Sequence, residues 1–331
     1  MSEHNQIAII GPGNIGKATG LALIQRGLGD IVFWGRDEQK LRGAKLELMS
    51  CVDGDNDIDI RVSTSPEIVR GADVVVVTAG KPRTAGMTRA ELIRENAPII
   101  KNVGEIVREH AADALVILVT NPLDAMVELM NRTSGLPEHK IIGMAGILDS
   151  RRFRGLLAEE LGARSHEVSG MVVGQHSDSM VPLFSRATYR GQNILDMIRD
   201  GQLSAAKIES VRQSLASTGA TILKYNGVSA YFSPGACVTD IAESYLRNKE
   251  RRFTASVRPL SVYSVDGEIS IGVPVIVNAQ GVKPFEVPLS PEERVAFEKS
   301  VADQMIQNEA LDEFSSGPQS AKTEPEPFEP A

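Results

Sequence analysis

Ile7-Ala8-Ile9-Ile10-Gly11-Pro12-Gly13-Asn14-Ile15-Gly16 follows a short polar lead, Met1 to Gln6, and its reading decides the fold. Four consecutive apolar residues suit a strand covered on both faces. The run stops at glycines spaced G-x-G-x-x-G, and a helix-like pattern continues through Leu21 and Ile24. Strand, glycine turn and helix together are the setting in which this spacing carries a mechanism. Gly11 permits the tight turn, Gly13 lets a pyrophosphate approach the backbone, and Gly16 lets the helix lie close to the strand. Asn14 and Ile15 then fall at the helix N-terminus, whose N–H groups face the phosphates.

Outward from that stretch, the second strand Ile31-Val32-Phe33-Trp34 ends in Gly35-Arg36. An NAD-binding unit places an acidic residue about twenty positions past the fingerprint, where it accepts from the adenosine ribose hydroxyls. Here Gly35 stands in that place, so no carboxylate repels a 2′-phosphate. Arg36 beside it is a planar, permanent cation suited to phosphate. The spacing therefore predicts NADP as the preferred cofactor, with NAD the alternative if Asp37 or Glu38 reaches the ribose and Arg36 is merely solvated.

Further strand-like runs are Ala72 to Thr78 and Ala114 to Thr120, the second ending at Asn121-Pro122. Between them lie a Gly/Arg loop, Ala79 to Arg89, and a helix expected over Ala90 to Glu109, with Pro98 as a kink or break. Cys51 to Asp59 reads as an acidic loop. Strands alternating with helices predict an α/β fold: a Rossmann-type doubly wound parallel sheet with ligands at the carboxyl ends of its strands. The dinucleotide-binding domain is expected over 1–144. An α+β substrate domain is expected over 145–313, built from a helix ending near Leu161, a hairpin turn at Tyr189-Arg190-Gly191-Gln192, and helices at Ser204–Lys224 and Pro234–Asn248. Three antiparallel strands between Phe253 and Val287 follow, then a closing helix from Ser290, its N-cap, to Glu313. Residues 314–331 are Pro- and Glu-rich and expected to be disordered.

The chain has 331 residues, with 42% hydrophobic and 24% charged, as in ordinary globular proteins. A net charge of -8 argues against a general nucleic-acid binder. Two cysteines, Cys51 and Cys237, are too few for a disulfide framework or metal site. No apolar run reaches membrane-spanning length and no targeting segment is recognised, so a cytoplasmic protein is expected. Of five histidines, only His176 lies in a turn between an apolar strand and a Pro-bounded segment, Val172 to Pro182. Imidazole titrates near neutrality, which suits a proton-transfer group.

The Gly11–Gly16 fingerprint, the Arg83–Arg89 loop, Thr120-Asn121-Pro122, Leu148 to Arg154 and the His176 turn occur in one order. Together they resemble the lactate/malate dehydrogenases over Ile7 to Asp312. The resemblance implies hydride transfer between a nicotinamide cofactor and a 2-hydroxy or 2-oxo acid, by a homodimer or homotetramer. It implies His176 as acid/base and Asp149 as its orienting partner, though Asp149 also suits the N-cap of a Ser150–Leu161 helix. Arg152 would clamp the substrate carboxylate, with Arg151 and Arg154 as surface or interface charges. Arg89 would enter on a closing loop, Asn121 would bond near the nicotinamide, and Ala230 would line the far wall. Thr78, Gly80, Asn96 and Val119 would join the cofactor site. Arg83, where lactate-type members carry an uncharged residue, implies a malate-type substrate, with a lactate-type or sulfonated acid as the alternative. Family members usually have Gly after the catalytic His and Gly or Glu before it. Ser177 and Gln175 depart from that and could strain the turn or add a hydroxyl near the substrate.

Overall fold

The computed structural model describes residues 4–54, 57–82 and 86–314. The first half lays down β1 (Gln6–Ile10), α1 (Asn14–Arg26), β2 (Asp30–Trp34), α2 (Glu38–Met49), β3 (Ile60–Ser63), β4 (Val74–Val77), α3 (Arg89–His110), β5 (Leu115–Leu118), α4 (Leu123–Ser134) and β6 (Ile141–Gly143). Next come α5 (Ala145–Leu161), β7 (Val168–Ser169), β8 (Val172–Val173), β9 (Val181–Pro182), β10 (Thr188–Tyr189), β11 (Gln192–Asn193), α6 (Ile194–Arg199) and α7 (Ala205–Asn226). The chain closes with α8 (Phe232–Leu246), β12 (Arg251–Val257), β13 (Ile271–Asn278), β14 (Gly281–Pro284) and α9 (Pro291–Asn308).

Strands β1 to β6 run parallel in the order β3-β2-β1-β4-β5-β6, the doubly wound arrangement expected from the fingerprint. The order reverses between β1 and β4, so a crevice opens at their carboxyl ends. Alternation explains why uniformly apolar runs are needed here. Ile7 and Ile9 of β1, Val74 and Val76 of β4, and Leu115 and Ile117 of β5 enter one hydrophobic core. Their neighbours Ala8, Ile10, Val75, Val77, Val116 and Leu118 enter a second core on the opposite face, against α3 and α4.

The three late antiparallel strands do not form a sheet of their own. β12 pairs with β6 at Ser256 and Gly143, so β12, β13 and β14 extend the parallel sheet to nine strands. A mixed sheet with one antiparallel edge thus joins both halves of the chain.

Pro98 does not break α3, which is one helix of 22 residues. Proline removes a single backbone donor, while the Thr88/Glu91 capping box fixes the start of the helix. Ser290 caps α9 through a second capping box with Glu293, and Pro291 takes the first helical position, as the sequence suggests. The helix itself ends at Asn308, and a 3₁₀ turn carries the chain to Phe314. Phe314, placed with the tail above, packs against the core beside α3 and α4; residues 315–331 lie outside the described residues. Arg190 and Gly191 both have positive φ (49° and 84°), giving the expected two-residue hairpin turn.

Candidate active site

His176 sits in the connection 174–180 between β8 and β9, which pair antiparallel. Its Nδ1 lies 2.7 Å from Asp149 Oδ2. A carboxylate only accepts, so Nδ1 carries the proton in this pair and Nε2 remains for exchange. Asp149 belongs to α5, which docks on β8 through Ser150 Oγ, the acceptor of Val172 N–H at 3.0 Å. The helix starts behind Met144 rather than at Ser150. Asp149 is therefore an interior helical residue, not an N-cap, and its buried carboxylate points at the ring.

Arg152 follows three positions later on the same helix face. Its Nη1 stands 3.8 Å from Asp149 Oδ1, a buried oxygen that accepts no hydrogen bond among the described residues. The neighbouring arginines face elsewhere: Arg151 pairs with Asp240 and Arg154 Nη1 donates to Gly170 O at 3.0 Å. Of the three, Arg152 alone shares the His176 side of α5 through Asp149.

Sequence reasoning missed Asp124. An acid in a helix's first turn reads as ordinary N-terminal charge, yet Asp124 is 3% exposed. It accepts the His176 backbone N–H at 2.7 Å with one oxygen and the Ser256 hydroxyl at 2.6 Å with the other. This carboxyl thus fixes the turn to α4 and β12. Burial pushes it above the usual carboxylate range, against the pull of its two donors. Burial works on His176 in the opposite sense, favouring the neutral ring, but the charge and hydrogen bond of Asp149 outweigh it. The imidazole is consequently held above its ordinary value.

Gln175 and Ser177 bond to each other, and Gln175 bonds to α9. Ser177 Oγ donates to Gln175 Oε1 at 2.6 Å and lies 2.9 Å from Ser179 Oγ. The Gln175 amide donates to Gln304 Oε1 at 2.6 Å and to Gln307 Oε1 at 3.0 Å, both on α9. Both residues are buried, and the Ser177 hydroxyl is bonded within the turn.

At the switch in strand order a cavity of ≈ 1000 Å³ is lined by Gly11, Gly13, Asn14, Gly35, Arg36, Thr78 and Gly80 among others. Helix α1 points its N-terminus into it. Its N-cap is Gly13, which offers no side-chain cap, and the first turn carries no acid. The free N–H groups thus fit a phosphate-bearing cofactor. A Cβ on Gly16 would stand 2.2 Å from Gly11 O, so only glycine allows the close turn. Thr78 Oγ1 donates to Gly11 O at 2.9 Å and holds that turn against β4.

Five cofactor candidates, Ile15, Gly16, Asn96, Val119 and Asn121, do not line the cavity. Ile15 packs on the core and Gly16 lies behind the turn. Val119 is a core side chain. Asn96 is fully buried, and its amide bonds Lys81 N at 2.7 Å and Asn121 O at 2.7 Å. It anchors two loops to each other. Asn121 itself is exposed, before a cis bond to Pro122. Arg89 opens α3 and borders a recess with Gln175, Ser177 and Ser179, beside the His176 turn. Ala230 lies half-buried between α7 and α8. Arg83 lies outside the described residues.

Residues 5–143 match the family described as lactate/malate dehydrogenase, NAD binding domain, and residues 147–310 match its alpha/beta C-terminal domain. A malate dehydrogenase of Xanthobacter autotrophicus is 41% identical over 308 residues, covering 90% of this chain and 94% of that protein. The structure of Cryptosporidium parvum malate dehydrogenase superimposes with a TM-score of 0.89 at 35% identity, covering 93% of this chain and 99% of the other. A lactate dehydrogenase of the same organism, solved with lactic acid and nicotinamide adenine dinucleotide, gives 0.90 at 32% identity, covering 94% and 99%. With matches over both halves, a nucleotide-type crevice in the first and His176 paired to an interior helical carboxylate in the second, the chain belongs to the lactate/malate dehydrogenase family.

Proposed function

We propose that this chain is a malate dehydrogenase that interconverts malate and oxaloacetate with NADP(H) in preference to NAD(H). The observation that carries the reading is the His176–Asp149 pair with Arg152 three residues along the same helix. The bound nicotinamide supplies the hydride in one direction and takes it in the other. His176 gives its Nε2 proton to the ketone oxygen in reduction and recovers it in oxidation. Asp149 fixes the ring's tautomer and favours the charged form that donates. Arg152 presents parallel N–H groups to the C1 carboxylate. Arg83, read from sequence, meets the second carboxylate; a cation in a substrate pocket with no anion to meet is costly, which disfavours pyruvate. The malate dehydrogenase of Xanthobacter autotrophicus, similar over nearly its whole length, supports that choice.

For the cofactor, Arg36 lines the crevice at the end of β2, and among the described residues no carboxylate forms an ion pair with it. Asp37, the alternative ribose contact, caps α2 by accepting the Lys40 N–H at 3.1 Å. That hydrogen bond holds its pKa below the ordinary carboxylate value. The test is kcat/KM for oxaloacetate and pyruvate with NADPH and NADH. Oxaloacetate with NADPH is expected to be best, and Arg83→Gln should lose roughly 10- to 100-fold on oxaloacetate alone. Equal turnover of pyruvate by the unmodified enzyme overturns the substrate; preference for NADH overturns the cofactor.

A further inference from the structure

Pro12 and Gly35 both line the crevice and lie against each other, at the carboxyl ends of β1 and β2. The backbone of Gly35 does not have positive φ, so conformation alone would accept any residue there. Space does not. A Cβ at position 35 would stand 2.9 Å from Pro12 Cδ, 3.4 Å from its Cγ and 3.5 Å from Leu41 Cδ2. Carbon atoms pack at about 3.5–4.0 Å, so the first contact is a clash. The pyrrolidine ring closes on its own backbone nitrogen and cannot swing aside. Nor can the loop retreat easily, since Gly11 N–H donates to Trp34 O at 3.0 Å and Gly13 O accepts from Lys17 N–H at 2.9 Å.

We propose that Pro12 is a cofactor-specificity residue: its ring occupies the space that an acidic side chain at position 35 needs, and so keeps a carboxylate away from the adenosine ribose. This deepens, and rests on, the reading that the end of β2 meets that ribose. Position 35 alone therefore does not decide the cofactor. A carboxylate placed there is pushed off line by Pro12 and crowded by Leu41, so it repels a 2′-phosphate without reaching the hydroxyls of NADH. Removing the ring frees the place for it.

The test is a double-mutant cycle of Pro12→Ala, Gly35→Asp and the pair, reading Kd for NADPH and NADH by quenching of Trp34, the sole tryptophan, which lines the crevice. Gly35→Asp is expected to weaken both cofactors, NADH by about tenfold, and the double variant to recover that loss for NADH but not for NADPH. Should Gly35→Asp alone gain NADH as fully as the double variant, or both bind NADH equally poorly, Pro12 is not the obstacle and the proposal falls. Gly35→Ala reads the contact with the smallest addition: its Tm should drop, and Pro12→Ala/Gly35→Ala should recover part of the drop. No recovery also overturns the proposal. The failure of the underlying reading shows separately, as an unmodified enzyme that binds NADH better than NADPH, while the coupling between the two positions is still read from NADH.

Discussion

At the scale of single residues, the chemistry depends on which of two opposed effects governs the His176 ring. Burial favours the neutral imidazole, and Asp149 favours the cation strongly enough to win. In the proposed reaction, reduction consumes the protonated form, so the raised value would extend reduction to higher pH and leave less neutral base for oxidation near neutrality. Asp149→Asn keeps the shape and an acceptor but removes the charge. The alkaline limb of the kcat/KM profile for reduction should then move toward acid, and the rate should fall by about 10²-fold or more. A pH–rate series of both proteins checks this; an unmoved limb would mean that Asp149 does not set the basicity of the ring. His176, Asp149 and Arg152 were legible in the sequence because each sits in a motif of fixed spacing. Asp124 was not, because its two partners, the His176 N–H and the Ser256 hydroxyl, come from 52 and 132 residues away. The bonds of the Asn96 amide to two loop backbones were hidden for a related reason, since Lys81 and Asn121 lie 15 and 25 residues away.

Among the elements, α9 stands out as the support of the His176 turn. Ser300 Oγ accepts the Gln175 N–H at 2.8 Å, and Gln304 joins the Gln175 amide to Asn308, to which it donates at 2.7 Å. Ser300 and Gln304 are fully buried. Such a chain holds its turn only while every member is satisfied. Gln304→Leu leaves Asn308 Oδ1 and part of the Gln175 amide without partners, at a cost of about 1–3 kcal/mol. Its Tm should fall, and kcat should fall more than KM rises, because the altered turn carries His176 rather than the substrate clamps. A loss of Tm with unchanged kcat would show α9 to be structural support alone. The departures at Gln175 and Ser177 were visible in the sequence. Their meaning was not, since Gln304 and Gln307 lie well over a hundred residues downstream. The closing helix was legible at its start, owing to Ser290 as N-cap before Pro291. Of the kink or break read at Pro98, the break does not occur, because one missing donor in a capped helix of 22 residues leaves it continuous.

For the whole molecule, alternating strands and helices gave away the parallel sheet, whereas the joining of both halves into nine strands depends on a single pairing, Ser256 with Gly143, that no local pattern announces. A second tie between the halves is ionic. On α8, Asp240 and Glu243 receive Arg26 from α1, at 2.6 and 2.8 Å, and Arg251 from β12. Arg247 and Lys249 complete the ring around Glu243, at 3.0 and 2.8 Å. The Lys249 hydrogen bond, opposed by burial and helped by the charges of Arg251, Lys249 and Arg26, lowers the Glu243 carboxyl to about 2. A depressed carboxylate stabilises the fold above its unfolded value of 4.5, and that stability is lost as pH falls from there through about 2. The shift corresponds to something on the order of 3 kcal/mol for a side chain 8% exposed. Glu243→Gln should therefore lower Tm at neutral pH, with the gap between variant and parent closing as pH drops from about 4.5 toward 2. Thermal melts of both proteins across that range measure it. A gap that stays constant with pH would mean that Glu243 contributes packing alone, and that the ionic tie between α1 and α8 does not hold the two halves together.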